Sequence, residues 1–240
     1  MIRRLAVAVV LLGAAGVALW LAVGSRTFGW HQRLTVTVAT PAGEVSGSSV
    51  TEVVVKSLPK TLSDAGVVDA KLRGEAVVVE VAPGKYLFAL LNDGLGWTEA
   101  AYDKNRVGSV FEENMRFIED QSGQPPVPLP RAEWPLMVTF DDVADPKTVR
   151  MVDPDNLEAT FGPGVELRAV TLEVTGDPVT DGRVEQVLGW LIEAGRERAN
   201  VVPKPDGLLK PRTTSELTPE ERLGLDYFLS GDHWGAGRSD

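Results

Sequence analysis

The sequence predicts an α+β fold: a mostly antiparallel sheet of about seven strands with two to four helices, preceded by one transmembrane helix. Apolar and polar residues alternate along residues 34–39 and 165–175, which is the period of a half-buried strand. A β-branched, apolar run at residues 76–81 and an apolar run at residues 86–91 flank a Pro-Gly turn and predict a hairpin. Residues 5–23 contain no charged or strongly polar side chain, which predicts the membrane helix.

The apolar run at residues 5–23 is long enough to cross about 30 Å of hydrocarbon as a helix. A cleaved secretory signal is the alternative, with Ala22 and Gly24 as the small residues at the cut site. The run is longer than the apolar part of most signals, and Trp20 near its end favours a membrane interface. We therefore predict residues 1–24 to be an anchor or uncleaved signal, with the bulk of the chain outside the cytoplasmic membrane.

The composition excludes several classes of function. The chain has 24 basic and 34 acidic residues, a formal net charge of −10, so its surface repels nucleic-acid backbones. It has no Cys, which excludes disulfides, thiolate catalysis and Cys-ligated zinc. We predict no nucleic-acid partner and no cofactor.

Residues 33–195 are predicted to form the globular domain. A strand begins at Arg33, and a second, at residues 45–55, is predicted to carry a bulge at Gly47. Residues 124–130 are rich in proline and predict an extended connector. The other predicted elements are a capped helix at 109–118, strands at 136–140, 148–152 and 165–175, a short helix at 153–161 and a helix at 183–194.

The last part of the chain is predicted to be a linker, residues 196–217, followed by an amphipathic helix and tail, residues 218–240. Thr218-Pro-Glu-Glu221 is a strong helix start, with a threonine cap and proline at the first position. Such a helix can dock in the groove of a partner protein or fold back onto its own domain. Its candidate partner-binding residues are Leu223, Leu225, Tyr227, Phe228 and Leu229.

Several short stretches together resemble a family. They are Arg33-Leu-Thr-Val-Thr-Val, Gly47-Ser-Ser-Val, Gly162-Pro-Gly-Val-Glu-Leu, Thr175-Gly-Asp-Pro-Val-Thr180 and Leu188-Gly-Trp-Leu191. In this combination residues 1–192 resemble a recurrent set of uncharacterised bacterial proteins with one N-terminal transmembrane segment and a small β-rich extracytoplasmic domain. That set has no established activity, so the resemblance implies a location and a shared core but no chemistry.

No catalytic motif stands out. The only histidines, His31 and His233, lie outside the predicted core, and no nucleophile elbow, Walker loop or His-Glu-x-x-His is present. Glu99, Asp141 and Asp142 are the acids that a carboxylate-based hydrolase of cell-wall glycans or peptides would use. The acidic and amide side chains within residues 153–158 resemble a calcium loop but lack its glycine.

The sequence thus predicts a membrane-anchored extracytoplasmic domain, a non-catalytic protein-interaction or structural module of the cell envelope with another envelope protein as partner. The carboxylate-based hydrolase is one alternative, and a small-ligand or calcium-binding module is the other. No residue is predicted as a catalytic group or metal ligand.

Overall fold

The computed structural model of the protein describes residues 26–57, 67–92, 94–102, 111–191 and 228–230, together with the single residue Gly16. Ten strands occur within these residues: β1 Arg26–Thr40, β2 Gly43–Ser57, β3 Val67–Glu75, β4 Val77–Ala82, β5 Lys85–Ala89, β6 Val127–Pro128, β7 Met137–Phe140, β8 Val149–Met151, β9 Glu166–Thr175 and β10 Leu229–Ser230. The helices are α1 Trp97–Tyr102, α2 Phe111–Glu119, α3 Glu158–Phe161 and α4 Arg183–Val187, with 3-10 turns at Arg131–Glu133 and Pro146–Thr148.

The strands form two sheets in which every pairing is antiparallel. The larger sheet has the order β10-β3-β2-β1-β9-β6, and the smaller has the order β4-β5-β7-β8. Strands β1 and β2 form a hairpin that stays in register from Arg26↔Ser57 to Thr40↔Gly43. Along β1 the even-numbered residues from Phe28 to Val38 are buried and the odd-numbered ones are partly or fully exposed. One face of the large sheet is therefore covered.

The smaller sheet and two helices cover that face. Leu34, Val36 and Val38 of β1 share one buried cluster with the apolar residues of β4 and β5. Met115 and Ile118 of α2 cover the start of β1. The other face of the small sheet is also buried, because Phe88 and Phe140 pack with Val184, Leu188, Leu191, Phe228 and Leu229.

A buried carboxylate fixes the chain where it passes between the sheets. Glu75, at the end of β3, is fully buried and accepts hydrogen bonds from the backbone N–H groups of Arg183 and Val184, each at 3.1 Å. These N–H groups lie at the first turn of α4 and have no partner within the helix, so the carboxylate caps it. Just before α4, Thr180 pairs with Val50 of β2 through its N–H and its hydroxyl oxygen, both at 2.9 Å.

The β-rich antiparallel architecture with few helices is confirmed, but the prediction of a single sheet of about seven strands is wrong. The chain turns sharply between β3 and β4, with only Ala76 between them, and this turn starts a second sheet. Strand β1 begins at Arg26, seven residues before the predicted start. The bulge predicted at Gly47 is also wrong: β1 and β2 stay in register there, and a Cβ at Gly47 would lie 2.1 Å from the carbonyl oxygen of Val78. The glycine permits close packing of the two sheets.

Several other elements follow the sequence closely. The hairpin of β4 and β5, strands β7 to β9 and helix α2 lie within a few residues of their predicted positions. Helix α4 is shorter than predicted and ends at Val187, seven residues before the predicted end, and α3 begins at Glu158, five residues after the predicted start. The proline-rich connector contributes β6, a two-residue strand at the sheet edge, where a proline without an N–H is tolerated. No helix among the described residues is long and apolar enough to cross a membrane. The predicted anchor, apart from Gly16, and the predicted linker lie outside the described residues.

Candidate functional site

The predicted partner-binding residues divide into two groups. Leu223, Leu225 and Tyr227 lie outside the described residues. Phe228 and Leu229 are each 2% exposed and belong to the core of this chain. Leu229 starts the short strand β10, where the sequence predicted the end of a helix. In the structure, Phe228 and Leu229 therefore fold back onto their own domain, which is the second of the two predicted arrangements.

The acids named for a hydrolase are exposed and lie on two different elements. Glu99 is exposed on α1, while Asp141 and Asp142 are exposed in the turn between β7 and β8. Asp141 pairs with Arg150, and Asp142 accepts the N–H of Ala144 at 2.9 Å, which is a local turn contact. None of the three acids lines the groove described below.

The stretch at residues 153–158 that resembles a calcium loop is held by local hydrogen bonds. Asp153 accepts the N–H of Asp155 at 2.9 Å, and Asn156 accepts the N–H of Ala159 at 3.2 Å, at the start of α3. Asp155 pairs with Arg131 at 2.7 Å. Within the described ranges, no group of three or more His, Asp or Glu side chains is placed to hold a metal ion.

The structure offers a different site, at one end of the large sheet. Strand β9 ends opposite His31, whereas β1 continues for five more residues, Arg26–Trp30, which pair with β2 alone among the described residues. In an antiparallel sheet, each residue directs its N–H and its C=O to the same neighbouring strand, and successive residues alternate between the two neighbours. The N–H of Gly29 points away from β2 and donates to Glu119 at 2.8 Å. Thr27 lies two residues earlier in the strand, so its N–H and C=O also point to the side of β1 that faces away from β2.

A groove of about 360 Å³ occupies the space left by the short β9. We call it the β1 groove, and it is lined by Gly29, Trp30, His31, Glu52, Glu119, Ser122, Val174 and Thr175. Gly29 is exposed, so the backbone of β1 forms part of its floor. The turn after α2 forms one wall, because the N–H of Gly123 bonds the carbonyl oxygen of Val174 at 3.3 Å.

His31 lies in β1 beside this groove. Its Nδ1 is 2.6 Å from the carbonyl oxygen of Asp177, and a carbonyl can only accept, so Nδ1 carries the proton. Its Nε2 is 3.9 Å from a carboxylate oxygen of Glu52. The ring is therefore fixed in orientation, with Nε2 directed towards an acid at the rim of the groove.

The neighbouring charges on the same sheet face are already paired. Arg33 bonds both Glu173 and Asp177, and Arg73 bonds Glu52 at 2.8 Å. Because these charges compensate one another across β9, β1, β2 and β3, the face has no strong preference for a ligand of one sign. The backbone groups at the edge of β1 are the better recognition feature, since they are directional and lie in the groove.

A buried hydrogen-bonded chain supports the floor of the groove. The indole N–H of Trp30 donates to the hydroxyl of Thr98 at 2.8 Å, and that hydroxyl donates to Gln32 at 2.7 Å. The amide N–H of Gln32 donates to the carbonyl oxygen of Gly94 at 2.6 Å. Gln32 and Thr98 are fully buried, so this chain fixes α1 against β1. Sequence reasoning missed it, because a single glutamine gives no pattern from which burial can be inferred.

The fold and the groove define a small antiparallel β protein with two stacked sheets and an open strand edge. Comparisons of the chain with protein-family models, with curated proteins and with solved structures gave no match. The resemblance inferred from the short sequence motifs therefore stays a prediction.

Proposed function

We propose that this protein is a membrane-tethered extracytoplasmic module that binds another envelope protein by accepting an extended segment at the edge of β1. The observation that carries the proposal is the mismatch in length between β1 and β9, which within the described part of the chain leaves Arg26–Trp30 without a strand on one side. Unpaired strand edges bind extended peptides because their backbone groups are already aligned for hydrogen bonding. The groove beside this edge gives room for the side chains of the bound segment.

The position of the groove specifies where the partner meets the protein. Only Gly24 and Ser25 separate the apolar run at residues 5–23 from the start of β1 at Arg26. Three peptide steps span at most about 11 Å. If residues 5–23 cross the membrane, the groove opens close to its surface, and we expect the partner to be a membrane-bound protein with a segment near the bilayer.

The proposal is tested by replacing Gly29 with proline in the full chain. Proline has no N–H and places its ring on the side of the backbone that faces the groove, which blocks an added strand. Gly29→Ala is the matched control, because it keeps the N–H and its Cβ meets the carbonyl oxygen of Val53 at an ordinary 3.6 Å. We expect Gly29→Pro to reduce partner recovery from gently solubilised membranes by more than about tenfold, while Gly29→Ala stays within about twofold.

Each of three results would contradict one part of this proposal. Equal recovery with both variants, each shown to be folded by its tryptophan emission, would exclude the β1 groove as the binding site. No stoichiometric partner with the unchanged chain, after chemical cross-linking in intact membranes, would contradict a role in protein binding. Release of the chain from membranes by alkaline carbonate would contradict the tether alone.

A further inference from the structure

A second strand edge, at the opposite side of the large sheet, is filled by the end of this chain. Strand β10 lies outermost in the sheet order and pairs with β3 through Leu229↔Glu75 and Ser230↔Gly74. The N–H of Ala76 donates to the carbonyl oxygen of Phe228 at 2.9 Å. The terminal segment 228–230 is thus held as an added strand, the same mode of recognition that we propose for the β1 groove.

The side chains of this segment fill an apolar site. The ring of Phe228 lies 6.0 Å from the rings of both Phe88 and Phe140, edge-on to the first and tilted to the second. Leu229 is buried beside it against the same cluster, which includes residues of α4. We call the edge of β3 at Gly74–Glu75, together with this apolar cluster, the acceptor site.

Among the residues that the structure describes, the backbone contacts of this segment are its two-residue pairing with β3 and the hydrogen bond from Ala76 to Phe228. Strand β10 has only two residues, so most of its attachment comes from the burial of Phe228 and Leu229. When the segment leaves, a strand edge and an apolar surface are exposed together, a combination that favours recapture of an equivalent strand. In the structure the site holds an extended segment in which an aromatic residue, Phe228, is followed by an aliphatic one, Leu229.

The length of the intervening chain does not restrict the segment to its own domain. Thirty-six residues, 192–227, separate Leu191 from Phe228. A chain of that length spans at most about 130 Å, several times the diameter of a domain of this size. A neighbouring copy offers an acceptor site identical to the one that the segment fills in the structure, so complementarity is the same in both cases.

We propose that the acceptor site exchanges its own terminal segment for the segment 228–230 of a second copy of this chain. The proposal rests on the proposed function in one respect only, because a membrane tether confines copies to one surface and raises their mutual concentration. Exchange of an identical element between copies requires no new interface. The result is a linked pair of domains whose β1 grooves both remain open.

The test uses the full chain with a photo-cross-linking phenylalanine analogue at position 228. Equal amounts of isotopically heavy and light chain are mixed, incubated and inserted into phosphatidylcholine vesicles, then irradiated. We expect adducts with β5 and β7 in which the two peptides carry different labels. Their share should rise towards about half of all adducts as the number of copies per vesicle increases, since random exchange gives equal numbers of mixed and unmixed pairs.

The same analogue at Tyr86, which packs against the same cluster from within β5, is the matched control, because its adducts with β7 join parts of one domain and should carry one label only. If the analogue at 228 prevents folding, a photo-cross-linking leucine analogue is placed at Leu229 instead, the other buried residue of the segment. Same-label adducts at every vesicle density, from chain that floats with the vesicles, would overturn the proposal. If the chain does not float with the vesicles, the membrane tether is contradicted. The same heavy and light mixture is then irradiated in detergent at matched protein concentration, and the share of mixed-label adducts shows whether segments are exchanged.

Discussion

Replacing Phe228 with alanine separates the two roles that the terminal segment can have. Phe228 is 2% exposed and packs against two other aromatic rings, so alanine leaves a cavity in the core. Truncating a buried phenylalanine costs about 3–5 kcal/mol in the free energy of unfolding. For a domain of this size each kcal/mol lowers the melting temperature by about 2–4 °C, which gives a decrease of about 6–20 °C. A segment that contacted only a partner protein would give almost no change.

The assay is urea and thermal unfolding of the full chain in mild detergent, followed by tryptophan emission. Met151→Ala is the matched control, because Met151 is a large apolar residue that is 49% exposed, and we expect it to change stability by no more than about 0.5 kcal/mol. A loss below about 1 kcal/mol for Phe228→Ala would refute the placement of the terminal segment in the core. It would also remove the basis for the acceptor site.

Three further changes test other parts of the structure. Thr98→Val removes the partner of two buried groups, the indole N–H of Trp30 and the amide oxygen of Gln32, and we expect a loss of about 2–6 kcal/mol in the same unfolding curves, whereas a neutral result would contradict the buried chain. Glu75→Ala removes the cap of α4 and should likewise cost about 2–6 kcal/mol, with hydrogen exchange rising in α4 before it rises in β1. Burial raises the pKa of Tyr102 above its ordinary 10.0, so the folded state keeps a proton that the unfolded state loses. The contribution of Tyr102 to stability is therefore intact below about pH 10 and falls as the pH rises further. Tyr102→Phe should reduce the loss in the free energy of unfolding that is measured between about pH 9 and pH 11. Identical losses in both proteins would contradict the raised pKa of Tyr102.

The strands were predictable where side chains alternate, and the start of β1 shows where this signal ends. Phe28 and Trp30 continue the buried even-numbered positions of Leu34 and Val36, but Gln32 interrupts the apolar pattern. Its burial depends on partners in α1 and in the turn before it, more than sixty residues away in the sequence. A tertiary hydrogen bond of this kind leaves no local pattern, so the predicted strand began seven residues late.

The candidate site was hidden for the same reason. The β1 groove exists because β9 is shorter than β1 at one end, and relative strand length becomes visible only when the pairing register is known. Gly29 carried a weak signal, since an isolated glycine within a strand often marks a close backbone approach or an exposed edge. The terminal segment was recognisable as apolar, but apolar character alone does not distinguish burial in its own domain from contact with a partner.

The pairing of β1 with β9 also has a consequence for how the chain folds. Residues 41–165 separate the two strands, so β1 and β2 can form their hairpin long before β9 has been made. Synthesis at about 5–20 residues per second leaves that edge of β1 unpaired for about 6–25 s. During this interval the hairpin presents a long apolar face and a free strand edge, both of which promote aggregation. We therefore expect the nascent chain to need a holding factor until Thr175 emerges.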